Sequence, residues 1–338
     1  MSLPFRPVAA RAIAAALALL LLPPAVAVRG ADTGNPAYTD PAKTDDDFAF
    51  QGEYVGEVPV NGAPLKLGIQ AVALGDGAFD VVVYPGGLPG DGWQAPTKLK
   101  GKGKRDGKAV TFEVSDPDGR THKAVIKDGA IVAADGAAKM PKVERKSPTL
   151  GAKPPEGAVV IFDGKGVEKL EGGKTTPDGL LMQGVTTKDS FGDATWHIEF
   201  RLPYQPKDRE QGRGNSGAYV AGAYEVQMLD SFGLEGRNNE CGGIYSVAAP
   251  LVNMCFPPLT WQTYDIDYTA PKYDGDKKTA PARMTVRHNG VVIHDNIAVN
   301  QITPGGVGAD GKGVKGPLHL QDHGNPVRYR NVWVKPKP

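Results

Sequence analysis

Three stretches of the chain set acid, base and amide side chains at alternate positions. They are Trp196-His197-Ile198-Glu199-Phe200-Arg201, Tyr224-Glu225-Val226-Gln227-Met228-Leu229 and Leu318-His319-Leu320-Gln321-Asp322-His323. A carboxylate or an imidazole moves protons near neutral pH when its surroundings tune it. Amides donate and accept as sugar hydroxyls do, and a guanidinium is a fixed cation. An ordinary solvated strand face carries Thr, Lys and Ser, whereas these faces carry His197, Glu199, Arg201, Glu225, Gln227, His319, Gln321 and His323. Side by side in one sheet, these groups would form a patch suited to carbohydrate. Three unrelated strands with polar outer faces would give the same pattern.

The elements that must position these groups are strands. Period-two alternation sends Trp196, Ile198 and Phe200, Tyr224, Val226 and Met228, and Leu318 and Leu320 to a core. The whole chain agrees with an all-β reading. Gly 44 and Pro 29 are high for 338 residues, and 40% of residues are apolar. That composition suits many short strands joined by tight turns. Segments such as Ala78–Tyr84, Ala109–Val114 and Lys123–Lys127 are punctuated by Gly75-Asp76-Gly77, Asp106-Gly107 and Asp128-Gly129. Asp-Gly between alternating segments is a hairpin signal. Residues 47–143 are therefore expected to form a small antiparallel β domain, a meander or barrel. Residues 28–46 are expected to be a flexible lead-in and 144–156 a Pro-rich, semi-rigid linker. Residues 157–338 then form the second domain.

Residues 1–27 have the pattern of a signal peptide, with Arg6 and Arg11, an apolar run from Ala12 to Leu22, and Ala25-Val26-Ala27 as a small-x-small cleavage site. The run is shorter than the roughly 20 residues a membrane helix needs. The protein is therefore expected to be exported, to the periplasm or beyond, with no membrane attachment after cleavage. In an oxidising compartment Cys241 and Cys255 are expected to pair as a disulfide, with two buried thiols as the alternative. Net charge is +1, with 39 basic and 38 acidic residues, and nothing resembles the basic stripe of a nucleic-acid binder. The Lys98–Lys108 cluster reads as a solvated hairpin turn. Oligomeric state is not readable from the sequence.

Several ordered motifs carry a resemblance. They are Ile161-Phe162-Asp163-Gly164-Lys165, Gly214-Asn215-Ser216-Gly217-Ala218-Tyr219-Val220, Tyr224–Asp230, Gly242-Gly243-Ile244-Tyr245, Trp261-Gln262-Thr263-Tyr264, His288-Asn289-Gly290-Val291, Gly316–Gly324 and Val327–Val332. In this order and spacing, residues 159–335 resemble the 3-keto-disaccharide hydrolase domain family, similar in fold to the concanavalin A-like lectins and glucanases. The resemblance implies a jelly-roll β-sandwich with one concave sheet exposing Glu199, Arg201, Glu225, Gln227, Gln321 and His323. It also implies substrates whose glycosyl C3 is a ketone. Cys241 and Cys255 depart from the family's pattern.

A 3-keto sugar has an acidic C2 proton. A base that removes it gives an enolate, the C1 oxygen leaves by elimination, and water then adds to the enone. Glu225 or His323 is the candidate base, and Arg201 or Arg330 the candidate cation for the enolate. Gln227, Gln321 and Asn215 would hold hydroxyls, and Tyr245 or Trp261 would stack on a ring, although core packing also suits Trp261. The competing direct route needs two carboxylates, for which Glu199 and Glu225 are the candidates. A divalent metal is conceivable if His197, His319 and His323 converge. The alternative to an enzyme is a lectin-like glycan-binding module.

Overall fold

In the computed structural model, residues 34–60, 62–136, 138–307 and 311–338 are described. The expected signal peptide at 1–27 lies outside them.

The N-terminal body is a closed barrel of eight antiparallel strands in sequence order. These are β1 (Gly52–Val60), β2 (Ala63–Gly75), β3 (Ala78–Pro85), β4 (Leu99–Asp106), β5 (Ala109–Ser115), β6 (Thr121–Lys127), β7 (Ala130–Ala133) and β8 (Lys139–Val143). Alternate residues point inward, so Tyr54, Ile69, Ala71, Ala73, Phe79, Val81, Val110, Phe112 and Ile126 share one buried cluster. Asp76-Gly77 and Asp128-Gly129 each take two consecutive positive φ angles, the geometry that matches the twist of hairpin strands. Closure comes from β1 pairing with β8 at Glu53↔Val143 and Tyr54↔Lys142. No edge of this sheet is left unpaired.

The second body packs two sheets face to face. Its strands are β9 (Val159–Phe162), β10 (Leu170–Glu171), β11 (Leu181–Met182), β12 (Val185–Thr187), β13 (Ala194–Arg201), β14 (Ser216–Val220), β15 (Tyr224–Met228), β16 (Trp261–Thr269), β17 (Lys272–Asp274), β18 (Lys277–Ala280), β19 (Ala282–His288), β20 (Val291–Val299), β21 (His319–Leu320) and β22 (Arg328–Pro336). The five-stranded sheet runs β10-β12-β21-β14-β15. The seven-stranded sheet runs β11-β22-β13-β16-β19-β20, with β9 also on β22, and β17 and β18 form a separate hairpin. Trp196, Ile198, Phe200, Tyr224, Val226, Met228, Leu318 and Leu320 all lie in the core between the sheets, as their alternation requires.

Several expectations need correction. β13 is not in the sheet of β14, β15 and β21; it pairs with β16 and β22 in the other sheet. His197, Glu199 and Arg201 therefore face away from Glu225 and Gln227, on the opposite side of the sandwich. Alternation decides which side of a strand is apolar and says nothing about which sheet receives it.

The linker is no free spacer. Residues 145–152 lie along the outer face of the seven-stranded sheet. There Ser147 Oγ meets Thr263 Oγ1 at 2.6 Å, Thr149 Oγ1 donates to Asp265, and Gly151 N–H donates to Glu199 Oε1 at 2.6 Å. Asn331 and Trp333 donate to the Ala152 carbonyl.

The lead-in is likewise ordered from residue 34. Tyr38 bridges to Tyr204, and Asp40 caps a short 3-10 turn at Pro41–Lys43. Tyr204 belongs to the second body, yet it packs into the barrel's core cluster and donates to Asp45 at 2.9 Å. The basic hairpin is strand β4 rather than a solvated turn. Lys98 and Lys100 both pair with Glu235 of the sandwich, and Lys102 pairs with Asp80.

The expected disulfide is absent. Cys241 and Cys255 are free and fully buried. In this dry core, Cys241 Sγ has Tyr264 Oη at 3.2 Å and Cys255 Sγ has the Leu229 carbonyl at 3.6 Å. Among the described residues no helix is long and apolar enough to cross a membrane.

Candidate active site

The outer face of the five-stranded sheet carries one continuous polar row. Thr186 of β12 is opposite His319 of β21, His319 is opposite Tyr219 of β14, and Tyr219 is opposite Glu225 of β15. The row behind it is Gln321, Gly217 and Gln227, since Gln321 N–H donates to the Gly217 carbonyl and Gly217 is opposite Gln227. The chain at 242–245 extends this sheet beyond β15. Gln227 N–H donates to Gly243 O, and Tyr245 N–H donates to Glu225 O.

Glu225 is 3% exposed and has no cation beside it among the described residues. Its Oε2 accepts from Tyr219 Oη at 2.8 Å, and Tyr219 Oη in turn accepts from Gln321 Nε2 at 3.3 Å. The Gln227 amide, in the orientation that matches donors to acceptors, gives its nitrogen to Glu225 Oε1 at 2.9 Å and to Ser216 O at 2.8 Å. Burial pushes the Glu225 carboxyl up to about 8, and the Tyr219 hydrogen bond opposes this only in part. A carboxyl that titrates near working pH is poised to take and return a proton. The His319 ring lies 5.7 Å from that of Tyr219 and bonds Thr186 Oγ1 through Nδ1 at 2.9 Å. Burial lowers the His319 pKa, which favours the neutral imidazole.

Gly217 is what makes room. A Cβ at this position would collide with the Glu225 carboxyl, which folds back over the glycine. Gly217→Ala is therefore expected to displace the carboxyl and lower kcat/KM by about 10²-fold, the scale of a 1 Å misplacement. Steady-state kinetics beside a melting curve checks this, because a packing defect alone would lower Tm and spare kcat. Loop 303–306 closes one end of the row. Glu225 N–H donates to Thr303 Oγ1 at 2.9 Å, and the Pro304 carbonyl lies 2.9 Å from Tyr219 Oη.

The expected residues divide among these surroundings. Glu225, Gln227, Gln321 and Tyr245 come together on this face. Asn215 adjoins them, buried, with Nδ2 donating to the Gln211 carbonyl at 2.8 Å. His323 lies in the turn past the end of β21, with Nδ1 buried and without a partner among the described residues. No hydrogen bond links it to Glu225 or Tyr219. Tyr219 and Gln211 were missed. Extending the same alternation from Asn215 and Gly217 along β14 would have found Tyr219.

Glu199, Arg201 and Arg330 are elsewhere. Glu199 is 1% exposed under the strap at 145–152. Burial would raise its pKa, but the His197 ring 3.5 Å away and hydrogen bonds from Asn331, Arg330 and the Gly151 N–H outweigh that and hold it at about 2. Arg330 Nε donates to Glu199 Oε2 at 2.7 Å, and His197 Nδ1 pairs with Asp265 at 2.6 Å. Trp261 is half-buried rather than in the core, with Arg330 4.1 Å and Arg201 5.1 Å from its ring centroid. A two-glutamate mechanism places its carboxyls about 5–9.5 Å apart across one bond. Glu199 and Glu225 point out of opposite sheets, whose backbones alone are about 10 Å apart, so they cannot form such a pair. His197, His319 and His323 do not converge either. Among the described residues no group of three or more His, Cys, Asp or Glu could hold a metal ion.

Comparison with known proteins fits this half of the chain. Residues 157–335 match the family model described as a 3-keto-alpha-glucoside-1,2-lyase-like domain. A provisionally named glycosyl hydrolase from Parabacteroides distasonis shares 34% identity, with 54% of this chain and 85% of that chain covered and a TM-score of 0.49. A second protein so named from the same organism shares 18% identity over 53% of this chain and 99% of that one, with a TM-score of 0.39. No curated protein matches. The family model spans more than half of the sequence, and the chain belongs to the 3-keto-alpha-glucoside-1,2-lyase-like domain family.

Proposed function

We propose that the protein is an exported enzyme that cleaves 3-keto-glycosides by elimination and hydration, with Glu225 as the base. The observation that carries this reading is a single buried carboxyl, tuned toward neutral pH, in a row of uncharged donors and acceptors. Glu225 takes the C2 proton, and the C–H electron pair forms the enolate C2=C3–O⁻. Tyr219, which bonds the carboxyl, and Gln321, which bonds Tyr219, supply hydrogen bonds for the C3 oxygen. The enolate collapses to the C1=C2 enone, the C1–O bond breaks, and the leaving oxygen takes up a proton. Water then adds at C1 and a proton returns to C2, for net hydrolysis. Asn215 and Gln227 orient hydroxyls, and Tyr245 borders the sugar at the sheet's extension.

This chemistry needs the ketone, so a 3-keto-glucoside with a chromogenic leaving group is expected to release it while the unoxidised parent does not. Because the base must be ionised, kcat/KM is expected to rise with pH and level off above about 8. Equal release from both glycosides would sink the elimination route. Release from neither, with the protein folded, would move the weight to a glycan-binding module.

A further inference from the structure

Beside the Glu225 row lies a cleft of about 510 Å³ that the proposed chemistry leaves unused. Its size is in the range of ligand sites. One wall is the 234–240 loop of the sandwich, and another is Lys100 on β4 of the barrel. One side chain stands between the cleft and the Glu225 row. Gln211 lines it, donates through Nε2 to the Asn239 carbonyl at 2.8 Å, and accepts from Asn215 Nδ2 at 3.2 Å. The Gln211 amide also lies 3.0 Å from that of Gln227, the direct partner of Glu225.

The lining is amphipathic. Leu234 offers apolar surface, being 40% exposed, over the buried Leu229. Among the described residues, the side chains of Glu210, Arg237 and Asn239 make no hydrogen bond or ion pair. These give a carboxylate, a guanidinium and an amide aimed at solvent around an apolar floor. That mixture matches a sugar ring, whose C–H face is apolar and whose edge both donates and accepts. The walls are held still. Glu240 accepts from the Gly236 and Arg237 N–H groups at 2.6 and 3.0 Å, and Glu235 is clamped by Lys98 and Lys100 from the barrel. Arg209 Nη2 and Arg213 Nη1 donate to the barrel carbonyls of Leu74 and Ala73 at 2.9 and 3.2 Å, which fixes the barrel against this edge. Glu210 stands at φ +50°, a left-handed conformation uncommon for its residue type.

We propose that this cleft is the leaving-group subsite, that it takes a second sugar ring, and that the barrel's role is to build its far wall. The inference rests on the function proposed above. The test compares wild type, Arg237→Ala and Lys100→Ala on a 3-keto-glucosyl disaccharide and on methyl 3-keto-glucoside, with melting curves to confirm folding. Both variants are expected to lose about tenfold in kcat/KM on the disaccharide, mainly through KM. On the methyl glycoside they should stay within about twofold of wild type, because that leaving group does not reach the cleft. Equal losses on both substrates, or none on either, would overturn the proposal. If wild type cleaves neither substrate, the chemistry has failed and the cleft is read by calorimetric titration with the unoxidised disaccharide and with glucose. Disaccharide binding that exceeds glucose binding and weakens in Arg237→Ala would uphold the subsite; its absence would overturn it.

Discussion

Glu225→Gln is expected to lower kcat/KM on a 3-keto-glycoside by about 10²–10⁴-fold, the range a positioned general base contributes. The amide has the shape of the acid and can keep the Tyr219 contact, but it cannot take the C2 proton. The same substitution is expected to leave the protein as stable as wild type or more so. The folded-state pKa of about 8 lies above the ordinary value of 4.5 because burial disfavours the ionised form. The folded chain therefore holds this proton more tightly than the unfolded chain. Stability from this group is full below about pH 4.5 and declines as pH rises through 8, by on the order of 5 kcal/mol. Gln does not titrate, so the variant should gain on wild type across that window. Kinetics and thermal melts at pH 5, 7 and 9 check both halves. Retained turnover would place the base elsewhere, with His323 as the next candidate.

Glu199→Gln is expected to do the reverse. This carboxylate is buried and accepts from Arg330, Asn331 and the Gly151 N–H. Removing its charge takes the anion from Arg330, whose side chain is 39% exposed, while His197 keeps Asp265, so the cost is discounted from that of a fully buried pair to about 2–3 kcal/mol. At roughly 2–4 °C for each kcal/mol in domains of 150–250 residues, Tm should fall by at least about 4 °C. The folded-state pKa of about 2 lies below the ordinary value. This stabilisation is therefore present above about pH 4.5 and is lost in wild type as pH falls through 2. The difference between variant and wild type should shrink in acid. At a temperature where both are folded, kcat/KM should stay within about twofold of wild type, because the side chain faces out of the opposite sheet. A collapse of activity with an unmoved Tm would return Glu199 to the catalytic site.

These two glutamates show what the sequence made legible. The alternation in Trp196–Arg201 and in Tyr224–Leu229 places each carboxylate correctly on the polar side of its strand. It carries no information about pairing, which depends on contacts between residues far apart in the chain, and β13 joins β16 and β22 instead of β14 and β15. The hairpin turns at Asp76-Gly77 and Asp128-Gly129 were readable because their positive φ angles are a local demand on residue type. The strap at 145–152 was not readable, because a Pro-rich segment looks the same free or docked. Its docking depends on Thr263, Asp265 and Glu199, all distant in sequence. The candidate row around Glu225 was half visible. Glu225, Gln227 and Gln321 stand out as acids and amides, whereas Tyr219 looks like one more core aromatic until its strand is given a face.

The placement of Tyr204 bears on how the chain comes to be folded. The barrel is synthesised first, and a closed barrel would ordinarily finish its interior on its own. Here one of its interior side chains arrives with the second body, and the phenol reaches back to Asp45. The barrel stays short of a complete interior until the chain has grown past residue 204. A boundary drawn at residue 157 by sequence likeness therefore parts the barrel from a side chain of its own apolar cluster, and the barrel cut off there is expected to melt lower than it does within the whole chain.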